Sequence, residues 1–140
     1  MLRLPFNPWP FLLFDEAREV LYEIDAGPDP AVLASAPVLD LWQPILSSKI
    51  EVRLTGKCGG HPTLGRSERW IVTCPLLGLV PDYTWARTFS RFYRLGRLAD
   101  VLGTDLPPDV RFPARCTALS LDQVHFLLDI LNCEIRDADG

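Results

Sequence analysis

Apolar residues recur at helical spacing at Phe14, Ala17, Val20, Leu21 and Ile24, between the acidic start Asp15-Glu16 and the stop Gly27-Pro28. The pattern predicts an amphipathic helix that Asp15 caps and Gly27 ends. Asp29-Pro30 then repeats a cap followed by proline at the first helical position, so a second, short helix is expected through about Ser35, stopping before Pro37. Ile50, Val52 and Leu54 alternate with Glu51, Arg53 and Thr55, the period of a half-buried strand, and Gly56, Gly59, Gly60 and Pro62 supply a turn. A second strand is expected from about Arg69 to Cys74, with Pro75 interrupting it before Leu76 to Val80. Val80-Pro81-Asp82-Tyr83 places proline and aspartate where a tight turn wants them, so the following segment should return antiparallel. Near the end, Ser120 and Gln123 form a capping box ahead of the stripe Leu121, Val124, Leu127, Leu128 and Leu131, which predicts a final helix.

The ends read differently. Pro5, Pro8 and Pro10 lie among Phe6, Trp9 and Phe11, so residues 1–10 are expected as an extended arm on the core, and residues 136–140 as a frayed tail. The 140 residues fit one domain, and a composition of 48% hydrophobic and 23% charged residues places the chain among globular proteins. Thirteen prolines divide it into short elements. No apolar run reaches the roughly 18 residues of a membrane span, and the N-terminus lacks the lysine-rich start and small-residue cleavage site of a secretion signal. The expectation is a cytoplasmic protein without membrane contact, and the near-exclusive use of arginine over lysine suggests a GC-rich bacterial genome.

Residues 85–98 hold four arginines and four aromatics with no acid, in a chain whose net charge is −4. Charge is therefore segregated, which points to contact with something anionic: the protein's own acidic helices or a partner. As a helix, this block puts Trp85, Phe89, Phe92 and Tyr93 on one face and Arg87, Arg91 and Arg94 on the other. As a strand, Trp85, Phe89 and Tyr93 share a face with Arg87 and Arg91 and leave Phe92 on the other side. Residue type and the preceding turn favour the strand.

Candidate chemistry is sparse. Cys58-Gly-Gly-His61 has the spacing of half a metal site, but His125 and Cys133 stand about two helical turns apart, roughly 12 Å, too far to complete one together. Cys74 or Cys116 could add a third ligand, and a cysteine nucleophile would draw on Cys58, Cys74 or Cys116 with His61 or His125. Cys58, Cys74, Cys116 and Cys133 are too widely spaced to read as a disulfide framework. Asp15, Glu16, Glu19 and Glu23 have the spacing of a solvated helix face, and no phosphate loop, dinucleotide fingerprint or serine elbow is present. No cofactor is implied.

Ala36-Pro37-Val38-Leu39-Asp40-x-Trp42, Gly60-His61-Pro62-x-Leu64-Gly65, Thr73-Cys74-Pro75-Leu76 and the block from Trp85 to Gly96 follow one another in an order that resembles a family of short bacterial proteins, a domain of unknown function, over about residues 29–97. The resemblance implies no activity. It places serine more often where Cys74 stands, which weakens a cysteine chemistry, and it implies a β-meander. The expected architecture is α+β: a small antiparallel β-sheet over about residues 50–96, covered on one face by the N-terminal and C-terminal helices. The expected function is non-catalytic: an interaction or accessory protein, of mobile-element type, binding an acidic protein surface through Arg87, Arg91, Arg94, Trp85, Phe89 and Tyr93. A nucleic-acid-binding accessory protein is the alternative, with arginine on phosphate and aromatics on bases, although the pI of about 5.1 is low for that role. A small enzyme using Cys58 and His61 comes third.

Overall fold

The computed structural model describes residues 14–47, 51–60, 69–99 and 115–137. Helix α1 spans Phe14–Ala26 and α2 spans Pro30–Ser35; then come strands β1 (Val38–Leu46), β2 (Val52–Gly59), β3 (Arg69–Val72), β4 (Leu76–Leu79), β5 (Trp85–Thr88), β6 (Phe92–Leu95) and β7 (Thr117–Ala118), and helix α3 (Leu121–Asp137). The strands form one seven-stranded sheet in the order β3-β2-β1-β6-β5-β4, with β7 also on β1. The class is α+β, as the residue pattern predicts, with a helix toward each end.

The local devices read from the sequence are in place. Gly27 adopts a positive φ of 82° and its N–H donates to Ile24 O, which ends α1. Asp29 Oδ1 accepts from Ala31 N–H at 2.8 Å ahead of Pro30. Ser120 and Gln123 close the capping box reciprocally, Ser120 N–H to Gln123 Oε1 at 2.8 Å and Gln123 N–H to Ser120 Oγ at 3.2 Å. The helix they open runs through Asp137, so Arg136 and Asp137 belong to it rather than to a frayed tail.

Three features correct the expected sheet. It has seven strands and begins at Val38, and its centre is β1. It is mixed rather than antiparallel, because β1 pairs β6 in parallel at Val38–Arg94 and Leu39–Leu95. The arginine–aromatic block is two strands, β5 and β6, paired antiparallel with Arg87 opposite Phe92. Its connection uses Phe89 and Ser90, closed by Thr88 N–H to Arg91 O at 2.9 Å and by the Thr88 hydroxyl. No glycine, proline, asparagine or aspartate marks it.

β1 tolerates Pro44 because a side chain replaces part of the ladder there: buried Gln43 donates from Nε2 to Pro44 O at 2.9 Å and to Leu119 O at 3.0 Å. The strand also bulges between Asp40 and Gln43, with Leu41 at a φ of 50°. The backbone of β2 comes so close to that bulge that a Cβ on Gly56 would lie 2.9 Å from Asp40 O, which only glycine accommodates.

The two terminal strands of the sheet, β3 and β4, are consecutive in the chain. Across the bend between them, Thr73 N–H donates to Leu54 O on the β2 side and Pro75 O accepts from Phe89 N–H on the β5 side, so the sheet curls toward closure. Leu39, Trp42, Leu54, Cys58, Leu76 and Ala86 are buried in its core, with α1 and α3 packed against each other and against β4. The expected arm at residues 1–10 lies outside the described residues.

Candidate functional site

The face of the β5–β6 hairpin that meets the helices carries Trp85, Arg87, Phe92 and Arg94, and the opposite face carries Ala86 and Tyr93, as the register requires. The expected grouping of Tyr93 with the arginines, and of Phe92 away from them, is therefore reversed. Arg87, expected to contact an acidic partner surface, is buried, its Nη2 donating to Glu23 Oε2 of α1 at 2.9 Å. Its guanidinium carbon lies 4.9 Å from the Phe92 ring centroid, and Phe92 meets Trp85 edge-on at 5.5 Å. Arg94 and Arg97 are also engaged. Arg94 Nε donates to Ala36 O at 3.0 Å, and Arg97 grips Asp40 through its backbone N–H, Nε and Nη2. Arg91, in the turn, has its Nε buried without a hydrogen-bond partner among the described residues.

Asp40 is held at about 2 rather than 3.8, first by the side-chain hydrogen bond from Arg97. Gly96 makes this contact possible, since a Cβ there would lie 2.6 Å from Asp40 Oδ1.

On the inner face, burial pushes the Cys58 thiol above its usual value, with the Arg91 charge opposing that shift. Tyr93 is pushed up to about 12, first by burial and then by the neighbouring Cys58. Cys58 therefore stays a buried thiol, a poor nucleophile. His61 lies outside the described residues. Among the described residues no group of three His, Cys, Asp or Glu side chains converges as a metal site, and all four cysteines are free thiols, with Cys74 and Cys133 exposed.

The sequence reading missed a groove of about 470 Å³ between α1, α3 and β4. Its floor is residues 77–81, its rim includes Trp85, and α3 contributes His125, Asp129 and Arg136. Three facts build it. Gly78, across the ladder from Arg87, lets α1 approach until a Cβ there would lie 2.8 Å from Ile24 Cδ1. Arg136 joins the far end of α3 to Asp25 of α1 at 3.0 Å. Tyr83, at a φ of 58° in the β4–β5 turn, shares a hydrogen bond between its hydroxyl and His125 Nε2 at 3.1 Å and packs its ring 6.0 Å from buried Trp42. The available signal was the spacing of His125, Asp129, Asn132 and Arg136, a polar stripe along the edge of the apolar face of α3.

The lining itself carries Asp25 and Asp129 against Arg136, and the helices that bear them are acidic overall. α1 carries Asp15, Glu16, Glu19, Glu23 and Asp25 against Arg18, and α3 carries Asp122, Asp129, Glu134 and Asp137 against Arg136. Tyr22 and Phe126 stand 59% and 61% exposed on these two helices.

These observations define an α+β protein with a curled mixed sheet, two flanking helices and an open groove, and no assembled catalytic constellation among the described residues. The chain belongs to the Family of unknown function (DUF6634), whose model matches residues 6–129. No curated protein and no solved structure matches it. No helix among the described residues is long and apolar enough to cross a membrane.

Proposed function

We propose that the protein is a non-catalytic interaction module that receives another protein in the groove between α1, α3 and β4, with the arginine–aromatic hairpin as its scaffold. The observation that carries this reading is Trp85. It is among the residue types most favoured at binding hot spots, it is held edge-on by Phe92, and it is left half-buried on the rim of an open groove of mixed polar and apolar lining. In this reading Arg87, Arg94 and Arg97 act within the fold, joining the hairpin to α1, to Ala36 and to β1. An acidic partner surface would have to approach past the carboxylates of both helices, so an acidic contacting segment is disfavoured. The acidic walls weigh equally against nucleic acid in this groove.

The test is site-specific photo-crosslinking in the cells that make the protein, with a photoreactive side chain placed at Asp129 or at Tyr22 and, as controls, at Val32 or at Val72. A partner adduct formed from Asp129 and Tyr22 but from neither control supports the reading. Adducts from the controls alone overturn it.

A further inference from the structure

We infer that the protein holds a phosphate group between Arg69 of β3 and Arg91 of the β5–β6 turn, at the end of the sheet where Cys58 is buried; the site is separate from the groove and does not rest on it. The sheet brings the two arginines there from different strands. Arg69 lies directly opposite Cys58 in the β2–β3 ladder, and residues so paired project from the same face. The turn that carries Arg91 is tied to the β3–β4 bend by the bond from Phe89 N–H to Pro75 O at 2.8 Å. From there the Arg91 charge reaches both Cys58 and Tyr93, 1% and 3% exposed on the inner face.

Neither arginine is compensated. Arg69 is exposed and has no ion pair among the described residues. Arg91 has neither an ion pair nor a side-chain hydrogen bond among them, although its Nε is withdrawn from water. Residues 52–59, 69–72 and 88–91 contain no carboxylate, and Glu51, just before β2, is buried and paired with Arg53 at 2.7 Å. A guanidinium nitrogen removed from water without an acceptor costs stability, and the chemistry that satisfies it is an anion presenting several oxygens.

Main-chain donors stand beside Arg69. Ile71 O accepts from Thr55 Oγ1 at 2.9 Å and Thr73 N–H donates to Leu54 O at 2.8 Å, so residues 71 and 73 turn toward β2 while Trp70 and Val72 turn their N–H groups away from it. No described strand covers that edge, and Val72 is 45% exposed. Two guanidinium forks next to outward N–H groups match a phosphate dianion, which accepts paired bonds from arginine and carries the charge to answer both. A lone carboxylate would answer only one.

The test titrates the full chain with sodium phosphate at fixed ionic strength and follows the amide and arginine Nε–H resonances by NMR. Saturable shifts are expected at Trp70, Val72 and Arg91 Nε–H at about millimolar phosphate, the range that two charge-assisted contacts give, with none from acetate. Arg91→Met should weaken binding about tenfold, and Arg69→Ser, at an exposed position, about two- to fivefold. Without phosphate, Arg91→Met should melt no lower than the natural chain, since it removes an uncompensated cation, and it should lose the rise in melting temperature that phosphate gives. If Arg91→Met does not fold, Arg91→Lys, which keeps the charge but not the fork, takes its place with the same expected loss. Phenyl phosphate bound as tightly as phosphate makes the ligand a phosphate monoester, and phenyl phosphate bound far more weakly makes it the free ion. Shifts that acetate reproduces, shifts that never saturate, or a phosphate affinity that survives the substitutions at both arginines overturn the proposal. So does an Arg91→Met chain that melts lower yet still responds to phosphate, because Arg91 is then structural.

Discussion

Arg87 of β5 and Glu23 of α1 form an ion pair at 2.9 Å that joins the hairpin to the first helix, on the face where Gly78 lets that helix sit against β4. The pair fixes one wall of the groove relative to its rim. Its two members are unequal: the Arg87 side chain is 11% exposed and that of Glu23 55%. Arg87→Ser is expected to lower stability by about 1–2 kcal/mol, because it also removes stacking on Phe92 and the packing of the arginine stem. Glu23→Gln, whose carboxylate is largely in water, is expected to lower it by less than about 1 kcal/mol. Urea unfolding of the two variants measures the difference, and equal losses would show that the stacking contributes nothing.

Asp40 gives a pH signature. A carboxyl held near 2 against 3.8 contributes stability that is complete above about 4 and disappears as the pH falls through about 2. Stability measured across this window should fall more steeply in the natural chain than in Asp40→Asn. Gly96→Ala, which drives a Cβ into Asp40, should remove the same portion and cost a further about 1–3 kcal/mol through strain in the bulged β1. Identical pH profiles for all three chains would contradict the role given to Asp40.

The helices and most of the strands were legible from their periods, because their apolar stripes and caps are local. The strand that organises the sheet was not. Pro37 and Pro44 argue against β1, and what admits Pro44 is the Gln43 side chain reaching Leu119, a contact 76 residues apart in sequence. The hairpin in residues 85–95 was hidden for the opposite reason, since Phe89-Ser90 lacks the glycine, proline, asparagine or aspartate of a strong turn signal and closure falls to Thr88. The arginine block was conspicuous in the sequence, yet its charges serve mainly within the fold. The groove depends on which helix residues end beside an edge strand, and that is fixed only by tertiary packing.

Leu128 lies 4% exposed in the middle of the buried stripe of α3, beside the groove. Leu128→Ala should destabilise the chain by about 2–4 kcal/mol, read as a lowered melting temperature, since α3 owes its stability to docking. An unchanged melting temperature would mean that α3 is not part of the core.

Tyr93 and Cys58 should report burial chemically. In a spectrophotometric titration of the folded chain, one of the three tyrosines should remain un-ionised past pH 10, titrating near 12, and Tyr93→Phe should remove it. A phenol raised in the folded state contributes stability that is full below its ordinary value near 10 and is lost as the pH rises toward 12. Under native conditions an alkylating reagent should modify Cys74 and Cys133 and spare Cys58, read by peptide mass. Rapid modification of Cys58 would contradict the packing described for the inner face.

The most direct measurement of the docking claim is amide hydrogen exchange of the full chain with and without the partner captured by crosslinking from Asp129. The amide of Leu79 and its neighbours in residues 77–81 should gain protection, while the turn of residues 89–91 stays unchanged. Protection confined to residues 89–91 and Arg94, with none along β4, would place the binding surface on the arginine turn and contradict the account.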